Sequence, residues 1–441
     1  MPVPLIQSLA TTEPLAAIFS DRSILRAMLD FEVALGSVEA RLGVIPQDAA
    51  DAIATAANVE FFDPHELSRG TLRAGTPAIP LVKALTERVK SVDANAARFV
   101  HWGATSQDVA DTAFILLLKR ARPLLEADHL RLIGALADLT EQHKNTVMLG
   151  RTLLQPAPPI PFGLKTAGWK AAVQRGWARV ESRFGEALLL QFGGASGTLA
   201  ALGDKGDAIG RALAEELGLP YPDAPWHTYR DRLAALVAAC GVDTGSLGKM
   251  ARDISLLMQG EVSEVAEPGG EGRGGSSTMP HKQNPIACSL TLAAAHRVPG
   301  LVAAFLSSMI QEHERGVGGW QAEWPILADV VQAAGLAVAS MAEVAEGMTV
   351  DPARMRANIE ATGGVIFAER VAMLLAASLG RDAAHKLLAQ AARDSIAQKR
   401  RLVEVLKEIP EVTRAIPLDS LQTLDTPEEY LGAAEEFRKR L

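Results

Sequence analysis

The sequence predicts an all-α protein built mainly from long helices. Apolar residues recur at helical spacing over long segments, several of which exceed 20 residues, whereas the usual mean is about 11–12. Apolar residues make up 48% of the chain, and Ala and Leu supply much of that share. Strand-like alternation is confined to Leu188–Phe192, which could equally end a helix. We therefore expect a helical bundle that is buried on more than one face, including burial between subunits.

The first long helix is predicted at Ile24–Leu42, with Asp21 or Ser23 as its cap and Gly43 as its end. The same periodicity predicts five further long helices: Ala110–His143, Phe162–Phe184, Asp231–Glu264, Ile286–Glu312 and Pro325–Gly347. A change of composition near Val350–Pro352 marks the start of a C-terminal region. Together these features predict three helical domains: an N-terminal domain at 1–108, a central long-helix bundle at 109–350 and a C-terminal domain at 351–441.

Composition excludes several classes of protein. Lys and Arg total 44 against 52 Asp and Glu, and the net charge of −8 argues against a general nucleic-acid binder. Two cysteines without CxxC spacing, and no HExxH, predict neither a disulfide framework nor a metal site. The chain begins without a signal-peptide pattern, and no uninterrupted apolar stretch reaches about 18 residues. We expect a soluble, cytoplasmic protein whose partner is a small molecule, with no nucleic acid and no membrane.

Three non-helical segments lie between the predicted helices, where a helical scaffold displays functional loops. The first is His101–Asp111. The second is Gly150–Phe162, in which four prolines exclude a regular helix. The third is Glu267–Pro285, which contains five glycines.

The third segment ends in features that favour anion binding. Asn284 and Pro285 form a good helix start, and the positive end of a helix from Ile286 would face the loop together with Lys282. A lysine beside a helix N-terminus can bind a carboxylate. The glycines alone would equally fit a flexible connector, and the spacing of a phosphate-binding P-loop is absent.

Residues 275–285, Gly-Ser-Ser-Thr-Met-Pro-His-Lys-Gln-Asn-Pro, resemble the GSSxMPxKxNP signature of the fumarase/aspartase superfamily. His101–Asp108 and Gly150–Ala157 resemble two other functional segments of that superfamily. The resemblance covers nearly the whole chain. It implies an all-α fold of three domains, a homotetramer with a twenty-helix core, active sites shared between subunits, and no cofactor.

The resemblance also implies roles for individual residues. Ser276 is the expected acid/base at the α-carbon, with Ser277 as the fallback, activated by Lys282 and the helix end. Asn284 is expected to bind a substrate carboxylate, although it could serve only as a helix cap. Further polar contacts to a polycarboxylate substrate are expected from His101, Thr105, Ser106, Arg151, Thr152, Gln155, His281 and Arg315. For Thr105 and Ser106 the alternative is a helix cap, with Asp108 as a competitor, and a lone histidine is often structural.

The sequence departs from the superfamily at its acid. A histidine is expected at position 153 and a supporting glutamate at position 289, but Leu153 and Ser289 stand there. A carboxylate, with a pKa of about 4, leaves without protonation, whereas an amine needs an acid. We therefore expect a reaction that makes or breaks a bond to a carboxylate oxygen, and a lactone fits. The resemblance implies lactonisation of 3-carboxymuconate, in which a carboxylate adds across a conjugated double bond.

Several segments resemble the cycloisomerase branch of the superfamily in particular: Gly150–Gln155, Phe162–Trp169, Gln191–Gly203, Trp226–Arg232 and Glu312–Trp324. The alternative enzyme is adenylosuccinate lyase or a related C–N lyase on the same fold. The non-enzymatic alternative is a structural protein that keeps the fold after losing catalysis. The intact set of Ser276, Lys282 and Asn284 argues against that last alternative.

Overall fold

The computed structural model describes residues 4–270, 274–275, 279 and 282–441. The chain forms two compact units, each assembled from three segments. The first unit contains the chain up to Leu130 together with Arg175–Gly248 and Leu290–Ser340. The second contains Arg131–Gln174, Lys249–Ser289 and Met341–Leu441. The division into three domains at residues 108 and 350 stays a prediction.

The α-helices up to residue 308 are α1 Glu13–Ile18, α2 Asp21–Arg41, α3 Gln47–Ala56, α4 Pro64–Ala74, α5 Ala78–Val92, α6 Ser106–Gln142, α7 Phe162–Ala187, α8 Gly206–Leu217, α9 Asp231–Leu257 and α10 Ile286–Ser308. The helices that follow are α11 Gly319–Gly347, α12 Pro352–Glu360, α13 Ala368–Leu379, α14 Arg381–Gln398, α15 Leu402–Lys407, α16 Pro410–Ala415, α17 Leu418–Gln422 and α18 Ala434–Arg440. The five longest helices each contribute residues to both units.

Helix α2 shows how the sequence forms the first unit. The helix begins one residue after Ser20, whose hydroxyl accepts a hydrogen bond from the Ser23 amide, so the predicted caps Asp21 and Ser23 are wrong by one to three positions. Its end beside Gly43, which has a φ of 66°, is as predicted. The apolar face of α2 is buried, and the helix packs against α3 and α8.

The long helices are confirmed, with shifted ends. Helix α6 begins at Ser106 rather than Ala110, so the Thr-Ser pair lies at the helix start. Helices α9 and α10 end earlier than predicted, at Leu257 and Ser308. Helix α11 begins at Gly319, before Pro325, because the apolar and aromatic residues of this stretch continue the buried face.

Of the two interpretations left open for Leu188–Phe192, the strand does not form, and helix α7 ends at Ala187, immediately before the segment. That segment is irregular, and the Leu190 amide bonds the Pro220 carbonyl. A hairpin forms instead in the proline-rich segment, where β1 (Val147–Thr152) pairs antiparallel with β2 (Gln155–Pro161). Prolines fit there because each strand of a two-stranded ladder has a free edge that needs no N–H donor.

The second unit has its own core, formed where α12 to α17 pack with the buried side of β1. Fully buried members include Val371, Leu375 and Leu406, and Val147 and Leu149 join them from the hairpin. A short ladder of β3 (Val265–Ala266) with β4 (Thr349–Val350) lies in the same unit. This packing holds the base of the hairpin, so the hairpin end has a fixed support.

Two of the described helices are long and apolar enough to cross a membrane by length and composition, namely α10 and α11. In α11, 72% of the most apolar stretch is buried within this chain, but in α10 only 28% is buried. Helix α10 therefore carries apolar surface that a single copy of the chain leaves uncovered.

Candidate active site

Asp108, in the first turn of α6, organises the first predicted loop. Its buried carboxylate accepts hydrogen bonds from the backbone amides of Thr105 (3.0 Å), Gly193 (3.0 Å) and Gly194 (2.9 Å). The same carboxylate lies 2.7 Å from Nε2 of His227. Sequence reasoning treated Asp108 only as a competing helix cap. The structure instead shows that it joins three separate segments that the sequence had singled out.

One turn further along α6, Asp111 lies in a buried ion-pair cluster. Arg230 donates to Asp111 (2.8 and 3.1 Å) and to Glu323 (2.8 Å), and all three side chains are buried. Gln191 and Trp320 also donate to the Asp111 carboxylate. These five residues, with Asp108 and His227, are called the Asp108–Asp111 network below.

The guanidinium of Arg230 lies between the carboxylates of Asp111 and Glu323. Its single positive charge cannot balance two negative charges. Although burial opposes ionisation, Arg230 holds the pKa of Asp111 below its usual range. Burial raises the pKa of Glu323 to about 7, despite the nearby Arg230. The negative charge is therefore concentrated on Asp111, and Glu323 binds a proton close to neutral pH.

Arg315 and Thr105, both predicted as substrate contacts, are brought together in the first unit. Arg315 donates from Nη2 to Oγ1 of Thr105 at 2.6 Å, while its buried Nη1 has no hydrogen-bond partner within the described part of the chain. The hydroxyl of Thr228 donates to the carbonyl of His313 (2.9 Å) and anchors the loop that carries Arg315. Ser106 is the first residue of α6 and is half-buried beside them.

His101 lies at the other end of the same loop and is positioned by a residue that sequence reasoning missed. Its Nδ1 is 2.7 Å from Oε1 of Glu32, which is buried on α2. Burial would lower the pKa of His101, but the charge and hydrogen bond of Glu32 raise it above its ordinary value. No spacing rule connects residues 32 and 101, so only the fold could reveal this pair.

In the second unit, Arg151 is already paired. Both terminal nitrogens donate to the fully buried Glu264, at 2.9 and 2.7 Å, and Asn358 donates to the same carboxylate at 2.8 Å. The expected role of Arg151 as a charge partner of the substrate stays a prediction. Thr152 and Gln155 face each other across the end of the hairpin and are exposed.

The end of the hairpin carries two leucines in an unusual conformation. Leu153 and Leu154 have φ values of 49° and 65°, a region that residues with a Cβ rarely adopt. Their side chains are 97% and 72% exposed. Position 153 is where the resemblance predicts the superfamily's acid, and the described hairpin end, residues 152–155, offers no titratable side chain there.

The glycine-rich signature is described only in part. Ser276, Ser277 and His281 lie outside the described residues, so their roles stay predictions. Lys282 is exposed, and the backbone N–H of Asn284 donates a hydrogen bond to the carbonyl of Gly274 at 2.9 Å. Asn284 itself is half-buried immediately before Pro285 and α10.

The start of α10 differs from the sequence-based expectation. The carboxylate of Glu267 accepts hydrogen bonds from the amides of Ala287 (3.1 Å) and Cys288 (2.8 Å). These two donors are therefore already bound, and the expectation that the helix end offers them to a substrate is wrong. The physical reason is that a buried acid of the same chain satisfies them at lower entropic cost than a free ligand.

The described residues contain no group of three or more His, Cys, Asp or Glu side chains that could hold a metal ion. Cys240 and Cys288 are buried and free, and burial raises the pKa of both thiols. A thiol of that kind is a poor nucleophile. Arg315, whose buried Nη1 has no partner within the described part of the chain, is a group that suits the binding of an anion.

Comparison with known families agrees with this geometry. Residues 8–300 match a family described as lyase, and residues 364–441 match one described as the C-terminus of adenylosuccinate lyase. The chain therefore belongs to the lyase family of the fumarase/aspartase superfamily. This finding confirms the resemblance that the signature segment indicated.

Individual relatives refine the picture. The chain is 48% identical to a 3-carboxy-cis,cis-muconate cycloisomerase of Bradyrhizobium diazoefficiens over 99% of this chain and 97% of that protein. It is 42% identical to a nitrosuccinate lyase of Streptomyces davaonensis, over 96% and 90% of the two chains. The crystal structure of a 3-carboxy-cis,cis-muconate lactonizing enzyme from Pseudomonas putida superposes with a TM-score of 0.92, at 44% identity, covering 99% of this chain and 97% of that one. The all-α fumarase/aspartase fold is thus confirmed.

Proposed function

We propose that this protein lactonises 3-carboxy-cis,cis-muconate to 4-carboxymuconolactone, in the protocatechuate branch of the β-ketoadipate pathway. The observation that carries the proposal is that Leu153, 97% exposed at the end of the hairpin, stands where the resemblance predicts the superfamily's acid. The cycloisomerase relative from Bradyrhizobium diazoefficiens and the Pseudomonas putida lactonizing enzyme support it by their names.

The reaction needs one nucleophile, one proton and no acid for a leaving group. A carboxylate oxygen of the substrate attacks a carbon of the conjugated diene and forms the new C–O bond. The π electrons move to the α-carbon, where the neighbouring carboxylate stabilises the charge as an aci-carboxylate. A proton then adds at that α-carbon, and atoms and charge balance without a further reactant.

Each candidate residue has a place in this scheme. Ser276, or Ser277 as the fallback, transfers the proton, and Lys282 with Asn284 holds the carboxylate that stabilises the charge. Thr105, Ser106, Arg315 and His101 bind a second carboxylate, and Thr152 and Gln155 line the site from the hairpin. Arg151 and His281 complete the polar surroundings. Several cations are needed because three carboxylates lose water on binding.

We further propose a soluble, cytoplasmic homotetramer whose active sites are shared between subunits. The uncovered apolar surface of α10 and the exposed Leu153 and Leu154 support this assembly, because other copies would bury them. On this proposal α10 and α11 belong to the core of the tetramer and not to a membrane.

An ultraviolet assay tests the activity directly. Purified protein mixed with 3-carboxy-cis,cis-muconate should remove the absorbance of the conjugated diene. In D₂O the lactone should carry one deuterium at the α-carbon, which proton NMR detects. An unchanged spectrum of the diene, with the protein folded, would contradict the proposal.

The second candidate is a C–N lyase, either an adenylosuccinate lyase or an enzyme that acts on a related succinate. The match of residues 364–441 to the adenylosuccinate lyase C-terminus and the nitrosuccinate lyase relative favour it. The assay is therefore run with adenylosuccinate and nitrosuccinate in parallel. Turnover of either one, without turnover of the muconate, would replace the first proposal.

A further inference from the structure

The buried carboxylate of Glu32 has no role in the reaction as described above. It lies 2.7 Å from Nδ1 of His101, across 69 positions of sequence. The side chain of Glu32 is 1% exposed and that of His101 is 19% exposed, so the ring covers the carboxylate. Glu32 can therefore influence a bound molecule only through His101.

The backbone conformation of His101 indicates that the surrounding structure holds this residue in a fixed position. Its φ of 61° lies in the left-handed region, which is unfavourable for residues other than glycine and persists only when the surroundings enforce it. Within the described residues, no partner binds Nε2 of His101, the second ring nitrogen. The ring thus has one nitrogen bound to Glu32 and the other available.

The charges around the pair decide the state of the ring. Glu32 faces it from α2 and Asp108 faces it from α6, and both favour a positive imidazolium. Glu39 lies two turns along the same face of α2, and within the described part of the chain neither of its buried carboxyl oxygens has a hydrogen-bond partner. Burial, with a smaller effect of Glu32, raises the pKa of Glu39 to about 9, so Glu39 is neutral at physiological pH. Glu32 is therefore the carboxylate that pairs with the ring.

We propose that Glu32 is a positioning residue that keeps His101 as an oriented imidazolium, so that its Nε2–H binds a substrate carboxylate beside Thr105 and Arg315. The inference rests on the proposed function, which supplies a substrate with three carboxylates. Glu32 does not touch the substrate, and the charge that it maintains on His101 is what the substrate meets. The effect falls on affinity, because the ring binds a carboxylate and transfers no proton in the reaction.

This role has a pH signature that a purely structural role lacks. Without the Glu32 charge, burial lowers the pKa of His101 against only the smaller effect of Asp108, so the ring becomes neutral at alkaline pH. The ring regains its proton as the pH falls, with or without Glu32. The loss of affinity should therefore grow with pH and shrink in acid.

The test compares Glu32→Gln with the matched control Glu39→Gln, which makes the same change on the same helix face. At about pH 8, Glu32→Gln should raise KM for 3-carboxy-cis,cis-muconate about tenfold and change kcat less than about twofold, the loss of one charge-assisted contact. At about pH 5.5 the ratio of its KM to that of the parent should be smaller than at pH 8. Glu39→Gln should follow the parent at both values, because Glu39 is already neutral.

An NMR titration of the His101 ring in the substrate-free protein provides an independent readout. The pKa of His101 should lie above 6.5 in the parent and fall in Glu32→Gln. If Glu32→Gln fails to fold, Glu32→Asp takes its place. Because Asp keeps the charge, the pKa of His101 should then stay partly raised. An unshifted ring in the parent, or a KM increase equal at both pH values, would overturn the inference. Absence of muconate turnover in the parent would instead contradict the proposed function, and the titration would still test the His101–Glu32 pair.

Discussion

The Asp108–Asp111 network and the hairpin end differ in how far contacts within one chain bury and hydrogen-bond their side chains. In the network every carboxylate is buried and bonded, and Asp108 alone accepts three backbone amides. At the hairpin end, Leu153 and Leu154 expose apolar side chains in a backbone region that opposes them. The first region is complete within one copy of the chain. The second has a cost within one copy that contact with another copy would offset.

The two regions also carry different parts of the proposed chemistry. The network fixes the loops of Thr105 and Arg315, where the proposed function expects a substrate carboxylate to bind. The described hairpin end, residues 152–155, offers no acid, which on the same proposal limits the leaving groups to those that depart without protonation. Four predictions test this comparison, from the largest expected effect to the smallest.

The largest effect is expected at the glycine-rich signature, which should supply the proton that the hairpin lacks. Ser276→Ala should lower kcat by about 1,000-fold or more, because it removes the group that transfers the proton. Stopped-flow or steady-state ultraviolet assays measure the rate. The melting temperature and the oligomeric state should match the parent. A near-normal rate would move the role to another group, and the first substitution to examine then is Ser277→Ala.

The next prediction tests whether the network stabilises the folded chain. Arg230→Met removes the cation between Asp111 and Glu323 and should lower the free energy of unfolding by about 3–5 kcal/mol, because two buried carboxylates lose their partner. Urea denaturation at fixed protein concentration measures the change.

The matched control is Arg211→Met, which breaks the exposed ion pair with Asp207. Its unfolding midpoint should equal that of the parent, because solvent screens exposed pairs. Equal midpoints for Arg230→Met and Arg211→Met would show that the network does not hold the fold together.

A smaller effect is expected at the hairpin end. Leu153→Asp should lower kcat/KM about tenfold or more and favour dissociation of the assembly, because a charge would replace a side chain that another copy buries. Light scattering across a dilution series measures the assembly. Leu72→Asp, on the 89% exposed Leu72 of α4, is the control and should change neither quantity. A Leu153→Asp protein that assembles and reacts like the parent would contradict the expectation that another copy of the chain buries the exposed leucines.

The smallest effect is a pH dependence within the network. Because the pKa of Glu323 is raised from 4.5 to about 7, its stabilising contribution is complete below 4.5 and is lost as the pH rises through 7. Between about pH 5.5 and 6.5 the parent should lose about 1 kcal/mol more stability than Glu323→Gln. Urea unfolding curves across this range measure the difference. If the stability of the two proteins changes with pH in parallel, the raised pKa of Glu323 is contradicted.

Sequence reasoning predicted the helices well, because long Ala- and Leu-rich periodicity is a strong local signal. It missed the hairpin, where prolines hid a two-stranded ladder. It left Leu188–Phe192 open between a strand and a helix end, because distant groups such as Pro220 hold that segment. Thr105 and Arg315 were predicted and do meet. The partners Glu32 and Glu267 were missed, because long-range pairs leave no spacing in the sequence.

The measurement that most directly tests the account is the ratio of kcat/KM for two substrates on one preparation. The proposed function predicts that 3-carboxy-cis,cis-muconate is preferred over adenylosuccinate by about 1,000-fold or more, because amine departure needs an acid that Leu153 cannot supply. The diene absorbance and the fumarate product report the two reactions separately. A ratio near one, or a preference for adenylosuccinate, would contradict the claim that this site works without a leaving-group acid.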